Sequence, residues 1–171
     1  LKEQVEQQKS LLEKTESLDK LDDQKSDKHE KSENNKNQKE AEKDKEGINS
    51  ESQELAEDQE KLQEDFQKTS EKIDELKELG EELEKNDDLP SEEDTQDVQQ
   101  QQEESKEMLE QNSPSKAKSP QQKALQKMQK MQQQMEGAES AMSMEIDMQN
   151  LETLRHIIHG LVKLSFDEES L

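Results

Sequence analysis

The stretch INSESQELAEDQEKLQEDFQKTSEKIDELKELGEEL, residues 48–83, decides the fold class. Large apolar residues recur in it at two heptad positions, and these seam residues are Ile48, Leu55, Leu62, Phe66, Ile73, Leu76 and Leu83. A seven-residue apolar repeat lies along one side of an α-helix and packs against another helix. Ser52, Gln59 and Gly80 interrupt it. The stretch therefore predicts a coiled-coil helix that needs a partner, and its polar positions help to fix the register.

The composition favours helices and disfavours a globular core. Of the 171 residues, 24% are hydrophobic and 41% are charged, and the chain has no Trp or Tyr and only 2 Phe. A globular domain usually contains about 45–50% apolar residues, so we expect no single compact core. Gly and Pro are scarce, whereas the good helix formers Glu, Gln, Lys and Leu are abundant. We predict an all-α chain of elongated helices with coiled-coil seams, partly disordered.

The charge is unevenly distributed. The net charge is −22, and residues 1–112 carry −21 of it, whereas residues 113–166 carry +2. This step predicts an acidic coiled-coil region at 1–112, a Pro/Ser linker at 113–119 and a Met-rich helical segment at 120–171. Within the acidic region, residues 22–47 contain no large apolar side chain, so they form either a solvated helix or a disordered segment. A polyanion repels phosphates, so no nucleic acid partner is expected.

Two further helices are predicted in the acidic region. Residues 1–21 carry an apolar seam and can either fold back as a hairpin onto part of residues 48–83 or pair with another chain. Pro90 ends the coiled-coil helix of residues 48–83. Ser91, with Asp94 three residues later, is a typical N-cap of the next helix. The helix that starts there reaches about Glu110. It has few apolar residues, so we expect it to be mostly solvated.

The segment after residue 120 holds all but one of the seven methionines. Its apolar residues recur at helical spacing, and the candidate interaction residues are Leu125, Met128, Met131, Met135, Met142, Met148, Leu151, Leu154, Ile158 and Leu161. Three interpretations stay open for its methionines. They form the packing face of a helix, an adaptable groove for another protein's apolar segment, or a soft-metal site.

Metal binding and catalysis have weaker support. The pair Met128 and Met131 has the close spacing that copper(I) thioether ligands use, but Met142 and Met144 point to different helix faces. A second group, Glu152, His156 and His159, falls on one face with a spacing that zinc ligands use, although a polar helix edge explains it as well. The chain has no phosphate loop, catalytic triad or EF-hand spacing. We therefore predict no catalytic residue, no metal, no cofactor and no enzyme activity.

The C-terminal run MQKMQQQMEGAESAMSMEIDMQNLETLRHIIHGLVKLSFDEESL, residues 128–171, resembles a segment of the large, helix-rich, membrane-anchored proteins of unknown function found in Bacteroidetes. The resemblance covers about a quarter of the chain and rests on the Met/Gln-rich helix, the run 150–155 and the run 165–171. It implies a piece of a longer protein, with its bulk in the periplasm and its inner-membrane anchor in parts outside this chain. That the chain begins with Leu agrees with this expectation.

The sequence thus predicts a non-enzymatic helical spacer or interaction module that docks through its Met-rich C-terminal helix. The expected partner is protein, either the rest of the parent chain or another helical protein, and a homo-oligomer stays open. Direct membrane insertion is not expected, because the apolar run at residues 156–162 is far shorter than the ~20 residues of a membrane span. The alternatives are a holdase-like chaperone for apolar segments and a thioether copper-binding protein.

Overall fold

The computed structural model describes the backbone of residues 1–29, 38–82 and 89–169, and the side chains of residues 1–21, 47–80, 89–144 and 146–159. These residues form the helices α1 (Lys2–His29), α2 (Gln38–Glu82), α3 (Glu92–Glu110) and α4 (Pro114–Glu169). The described backbone contains no β-strand. The prediction of an all-α fold is confirmed.

The helices form an antiparallel bundle in which each packs against two neighbours. The contacting pairs are α1 with α2, α2 with α3, α3 with α4, and α4 with α1. Thr69 of α2 donates a hydrogen bond to Gln4 (3.0 Å), whereas Lys14, later in α1, pairs with the earlier Asp58 (3.3 Å), so α1 and α2 run in opposite directions. Residues 1–21 could fold back as a hairpin or pair with another chain, and in the structure they form the hairpin with α2.

The ends of α3 follow local sequence chemistry. The hydroxyl of Ser91 accepts the backbone N–H of Asp94 (3.1 Å), which confirms the predicted N-cap. After the C-cap Gln111, Asn112 adopts a left-handed backbone with φ of 52°. Its N–H donates to the carbonyl of Leu109, and that of Ser113 donates to the carbonyl of Met108, both at 2.9 Å. This is a Schellman motif, and it turns the chain sharply into α4.

The predicted linker at 113–119 is helical from Pro114 onward. Proline fits the first position of a helix, because its fixed φ suits the helix and no partner is needed for the absent N–H. Pro120, expected to start the helix, lies inside α4. The predicted boundary between the acidic region and the Met-rich segment therefore falls inside the bundle, because α4 packs against α1 and α3 of the acidic region.

Replacing the left-handed residue tests this turn. We expect Asn112→Ala to lower the free energy of unfolding by about 1 kcal/mol, because a Cβ without a polar group is disfavoured in this conformation. Asn112→Gly should be neutral or slightly stabilising, since glycine adopts positive φ readily. Urea unfolding of both variants measures the difference. Equal stability of the alanine and glycine variants would contradict the role given to this turn.

The bundle has two buried apolar clusters. The extension-side cluster lies toward the end from which α4 continues and consists of Val5, Leu12, Phe66, Ile73, Val98, Leu125, Met128 and Met131. The turn-side cluster lies toward the α3–α4 turn and consists of Leu11, Leu18, Ile48, Leu55, Ala56, Leu62, Leu109 and Ala117. No single compact core was expected, and these residues build a buried core that is divided into two clusters. A narrow seam on each of four helices suffices for a bundle core, so a low apolar fraction is enough.

The heptad seam of α2 supplies five of these core residues, Ile48, Leu55, Leu62, Phe66 and Ile73. Leu76 is 41% exposed. Thr69 bonds to Gln4 near the start of α1, and Leu76 lies about 10 Å farther along α2. Leu76 therefore lies beyond the start of α1, which cannot cover it. Leu83 lies outside the described residues. Residues 30–37 of the segment 22–47 also lie outside the described residues. On either side of them, α1 ends at His29 and α2 begins at Gln38.

A polar layer crosses the bundle where the two clusters meet. One fully buried glutamine from each helix forms this glutamine layer, namely Gln8, Gln59, Gln102 and Gln121. The Oε1 of Gln59 accepts from the Nε2 atoms of Gln8 and Gln121 (both 3.3 Å). It also accepts from the hydroxyl of Ser105 (3.2 Å). The Nε2 of Gln59 donates to the Oε1 of Gln8 (3.2 Å), which accepts in turn from Gln102 (3.2 Å). Gln59 is therefore the hub that joins all four helices.

The glutamine layer is not fully satisfied. Among the described residues, the buried Oε1 atoms of Gln102 and Gln121 have no hydrogen-bond partner. A buried polar group without a partner costs about 1–3 kcal/mol, so the layer costs stability. Sliding any helix along its neighbours would break the amide contacts as well. We infer that the layer selects the register of the bundle, as a single polar seam residue does in coiled coils.

Ion pairs between adjacent helices surround the core. They are Lys14 with Asp58 (3.3 Å), Lys106 with Glu60 (2.8 Å), Lys118 with Asp19, and Lys127 with Asp94 (3.0 Å). Exposed pairs contribute only about 0–1 kcal/mol each. Asp94 differs because it is buried and accepts hydrogen bonds from Ser91 (2.7 Å) and Lys127. The Ser91 hydroxyl and, secondarily, the Lys127 ammonium hold the pKa of Asp94 at about 2.

This depressed pKa makes stability depend on pH. The Asp94 carboxylate stabilises the bundle fully above its unfolded pKa, near 3.9, and the contribution disappears as pH falls through the folded pKa. We expect Asp94→Asn to lower the free energy of unfolding by about 1–2 kcal/mol at pH 7, and its deficit to shrink toward pH 2. Urea unfolding across pH 7 to 2 checks this. Asp65→Asn, at the exposed pair with Lys68, is the control, and a deficit unchanged by pH would contradict the account.

Candidate docking surface

The last helix, α4, extends beyond the end of the bundle. α4 has 56 residues against 19 in α3, which corresponds to lengths of about 84 Å and 28 Å. Asp94, in the first turn of α3, pairs with Lys127 and Lys130 of α4. At the same level Leu1, which precedes α1, packs against the extension-side cluster together with Met135. Neither α1 nor α3 therefore accompanies α4 much beyond Met135.

Burial divides the Met-rich segment in two. Met128 and Met131 have no exposed surface, and Leu125 is 9% exposed. Met135 is half-buried, and Ala138 is the last buried side chain of α4 among those described. In this first part of the segment the methionines therefore form the packing face of a helix, which was one of the three interpretations. Met128 also touches the glutamine layer, where its Sδ lies 3.9 Å from Nε2 of Gln102.

Beyond Ala138, every described side chain of α4 is exposed. We call residues 139–159 the α4 extension. Its large apolar side chains are between 41% and 71% exposed, and they are Met142, Met144, Ile146, Met148, Leu151, Leu154, Ile157 and Ile158. Fully burying a side chain of this kind stabilises by about 1.5–3 kcal/mol. The α4 extension therefore leaves a large apolar surface in water, and such surfaces mark interaction sites.

One face of the α4 extension has the spacing of a helix-pairing seam. Met144, Met148, Leu151, Arg155 and Ile158 follow one another at alternating steps of four and three residues, which is the heptad pattern of a coiled coil. Part of this face is a shallow groove lined by Met148, Leu151, Glu152 and Arg155. A helix with this pattern is complementary to a second amphipathic helix.

Two leucines of α2 lie at the same end of the bundle. Leu76 is 41% and Leu79 is 56% exposed. They follow Ile73, a member of the extension-side cluster. Most of the exposed large apolar residues thus gather at the end of the bundle from which α4 continues, whereas Leu21, 45% exposed, lies on the other side of the glutamine layer.

The structure places the remaining candidate residues as follows. Glu152, His156 and His159 are all exposed on the α4 extension, and the described residues contain no group of three His, Asp or Glu side chains that could hold a metal ion. Of the proposed copper ligands, Met128 and Met131 are enclosed in the core. No helix, as far as the chain is described, combines the length and apolar character needed to cross a membrane.

Sequence reasoning identified part of this surface. Met142, Met148, Leu151, Leu154 and Ile158 are exposed on the α4 extension, and the side chain of Leu161 lies outside the described residues. Met144, Ile146 and Ile157 are also exposed but were not among the candidates. The signal for them was available, because the α4 extension is apolar on more than one face, as expected only for a helix with several neighbours.

Comparisons of the chain with models of protein families, with curated proteins and with solved structures found no match. The features of the molecule that bear on function are therefore the exposed α4 extension, the bundle that holds it and the distribution of charge.

Proposed function

We propose that this protein is a non-enzymatic helical interaction module that docks onto another helical protein segment through the α4 extension. The single observation that carries the proposal is the exposure of eight large apolar side chains on a helix that has left its bundle. In the bundle, the same helix buries Met128 and Met131 completely. The bundle thus anchors one half of α4 and presents the other half to a partner.

The charge of the molecule favours a protein partner. A net charge of −22 repels nucleic acid and anionic lipid surfaces. It also keeps a chain with an exposed apolar surface soluble. The partner segment belongs to the rest of the parent protein or to another helical protein. We place the parent in the periplasm, anchored to the inner membrane by segments outside this chain, and the support for that placement is the resemblance of residues 128–171.

Site-specific photo-crosslinking in the source organism tests the docking surface. A photoreactive residue replaces Leu151 on the α4 extension or, as a matched control, the exposed Gln67 of α2. We expect a discrete protein adduct only from position 151, with the crosslinked peptide mapping to an amphipathic helix. Met148→Gln in the same chain should reduce the adduct, because it removes an apolar contact. Equal adducts from both positions, or none from position 151, would contradict the proposal.

A holdase-like chaperone is the second candidate, and the exposure of Met142, Met144 and Met148 favours it. Flexible, polarisable methionine side chains adapt to many apolar segments. The two functions differ in selectivity. A holdase suppresses the aggregation of several unrelated unfolded proteins, whereas a docking module does so for none. An aggregation assay with chemically unfolded model proteins, and Leu151→Gln as the control variant, separates them.

A further inference from the structure

The charged residues of the α4 extension are mostly of one sign. Residues 139–159 contain four acidic residues and a single basic residue, Arg155. Two of the acidic residues, Asp147 and Glu152, directly flank the seam of Met144, Met148, Leu151, Arg155 and Ile158, and their side chains are exposed. No lysine occurs in this stretch. The charged residues that border the apolar seam are therefore acidic.

Charges that border a helix seam select the partner. In coiled coils the flanking positions of two helices face each other, so opposite signs attract and equal signs repel. A second copy of this chain would bring the same acidic flanks, together with its own net charge of −22. The flanks thus disfavour self-association and favour a helix with basic flanks.

Arg155 adds a second requirement. It occupies a seam position between Leu151 and Ile158, where a partner helix would remove its guanidinium from water. A charge that loses water without a partner is costly. The facing residue must therefore offer an acceptor, such as a carboxylate or an amide oxygen.

We propose that the α4 extension binds an amphipathic helix of another protein, one whose apolar seam is flanked by lysine or arginine and carries an acidic or amide residue opposite Arg155. This inference rests on the proposed docking function and specifies its partner. The positive flanks of that helix meet Asp147 and Glu152, while its apolar seam covers Met148 and Leu151.

Synthetic peptides and the intact chain test the proposal. The basic probe is a labelled peptide of about 28 residues with leucine at the seam positions, glutamine at the one seam position that faces Arg155, and lysine at the flanks, so that it repels itself. The acidic probe has glutamate at the flanks, and the charge-only probe keeps lysine but has glutamine in the seam. Fluorescence anisotropy measures binding of each probe to the chain. We expect the basic probe to bind at least about tenfold more tightly than either other probe, and less tightly at high salt.

Variants of the chain show where the basic probe binds. The double variant M148Q/L151Q should weaken its binding at least about tenfold, whereas Glu64→Gln, an exposed position of α2, should leave it unchanged. The double charge reversal D147K/E152K should reverse the preference toward the acidic probe. An effect of Glu64→Gln as large as that of M148Q/L151Q would mean general attraction to the acidic bundle and would overturn the inference.

Other outcomes separate the inference from the docking function. Equal binding of basic and acidic probes, lost in M148Q/L151Q, would refute the charge selection and leave docking through the α4 extension intact. Binding of neither leucine-containing probe would refute both. Sedimentation of the chain alone should show a monomer, and a dimer that dissociates in M148Q/L151Q would overturn the inference in favour of a second copy.

Discussion

Gln59→Leu is expected to lower the free energy of unfolding by about 3–6 kcal/mol, although it adds apolar volume to the core. The reason is that Gln59 is the hydrogen-bond hub of the glutamine layer. Its loss leaves the buried donors of Gln8, Gln121 and Ser105 without their acceptor. Each buried unpaired group costs about 1–3 kcal/mol. Urea unfolding followed by circular dichroism measures the loss.

Replacing the whole layer should have the opposite effect. With Gln8, Gln59, Gln102 and Gln121 all changed to leucine, no amide of the layer stays buried, and the Ser105 hydroxyl can donate to a carbonyl of its own helix. Apolar replacement of a buried polar cluster is often neutral or stabilising, so we expect this variant to be at least as stable as the wild type. Wild-type stability of Gln59→Leu alone, or equal instability of both variants, would contradict the hub.

Identical substitutions at two methionines of α4 are expected to differ greatly. Met128→Ala should lower the free energy of unfolding by about 2–5 kcal/mol, because it opens a cavity in the extension-side cluster. Met148→Ala should change it by less than about 0.5 kcal/mol, because this side chain is 71% exposed and its removal opens no cavity. The two variants share residue type and helix, so the difference reports burial alone.

Thermal or urea unfolding of the two methionine variants measures this difference, and binding of the basic probe adds a second readout. Met148→Ala should weaken that binding, whereas Met128→Ala should spare it under conditions in which the bundle stays folded. Equal destabilisation by the two substitutions would mean that the α4 extension packs against the bundle, which would contradict the division of α4 into an anchored and a presented half.

The sequence predicted the class of fold because heptad spacing depends only on local chemistry. Ile48, Leu55 and Leu62 lie in the core as the repeat required. The same reasoning misjudged α3, expected to be mostly solvated, because its seam is polar. In the structure Val98, Gln102, Ser105 and Leu109 follow heptad spacing and are buried. Recognising them required the other three helices, since a glutamine is a plausible core residue only where partner amides surround it.

The extent of the docking surface depended on helix lengths that no local pattern specifies. Met128 and Met148 both belong to the apolar repeat of α4, yet one is enclosed and the other exposed. The difference arises because α1 and α3 both begin near the level of Met135 and do not cover α4 beyond it. That register follows from the glutamine layer and the α3–α4 turn. The structure differs from the predicted Pro/Ser linker at 113–119 for a related reason, since Asn112 and Pro114 form a tight turn between packed helices and the chain is helical from Pro114 onward.

Amide hydrogen exchange of the purified chain, followed by mass spectrometry at low concentration, tests the central claim most directly. An unsupported helix is only marginally stable in water, so we expect the backbone of residues 142–158 to exchange at least about a hundredfold faster than that of residues 121–135. Addition of the basic probe should then slow exchange in 142–158 alone. Equal slow exchange in both segments of the isolated chain would show that the α4 extension is already covered, and would contradict its role as a free docking surface.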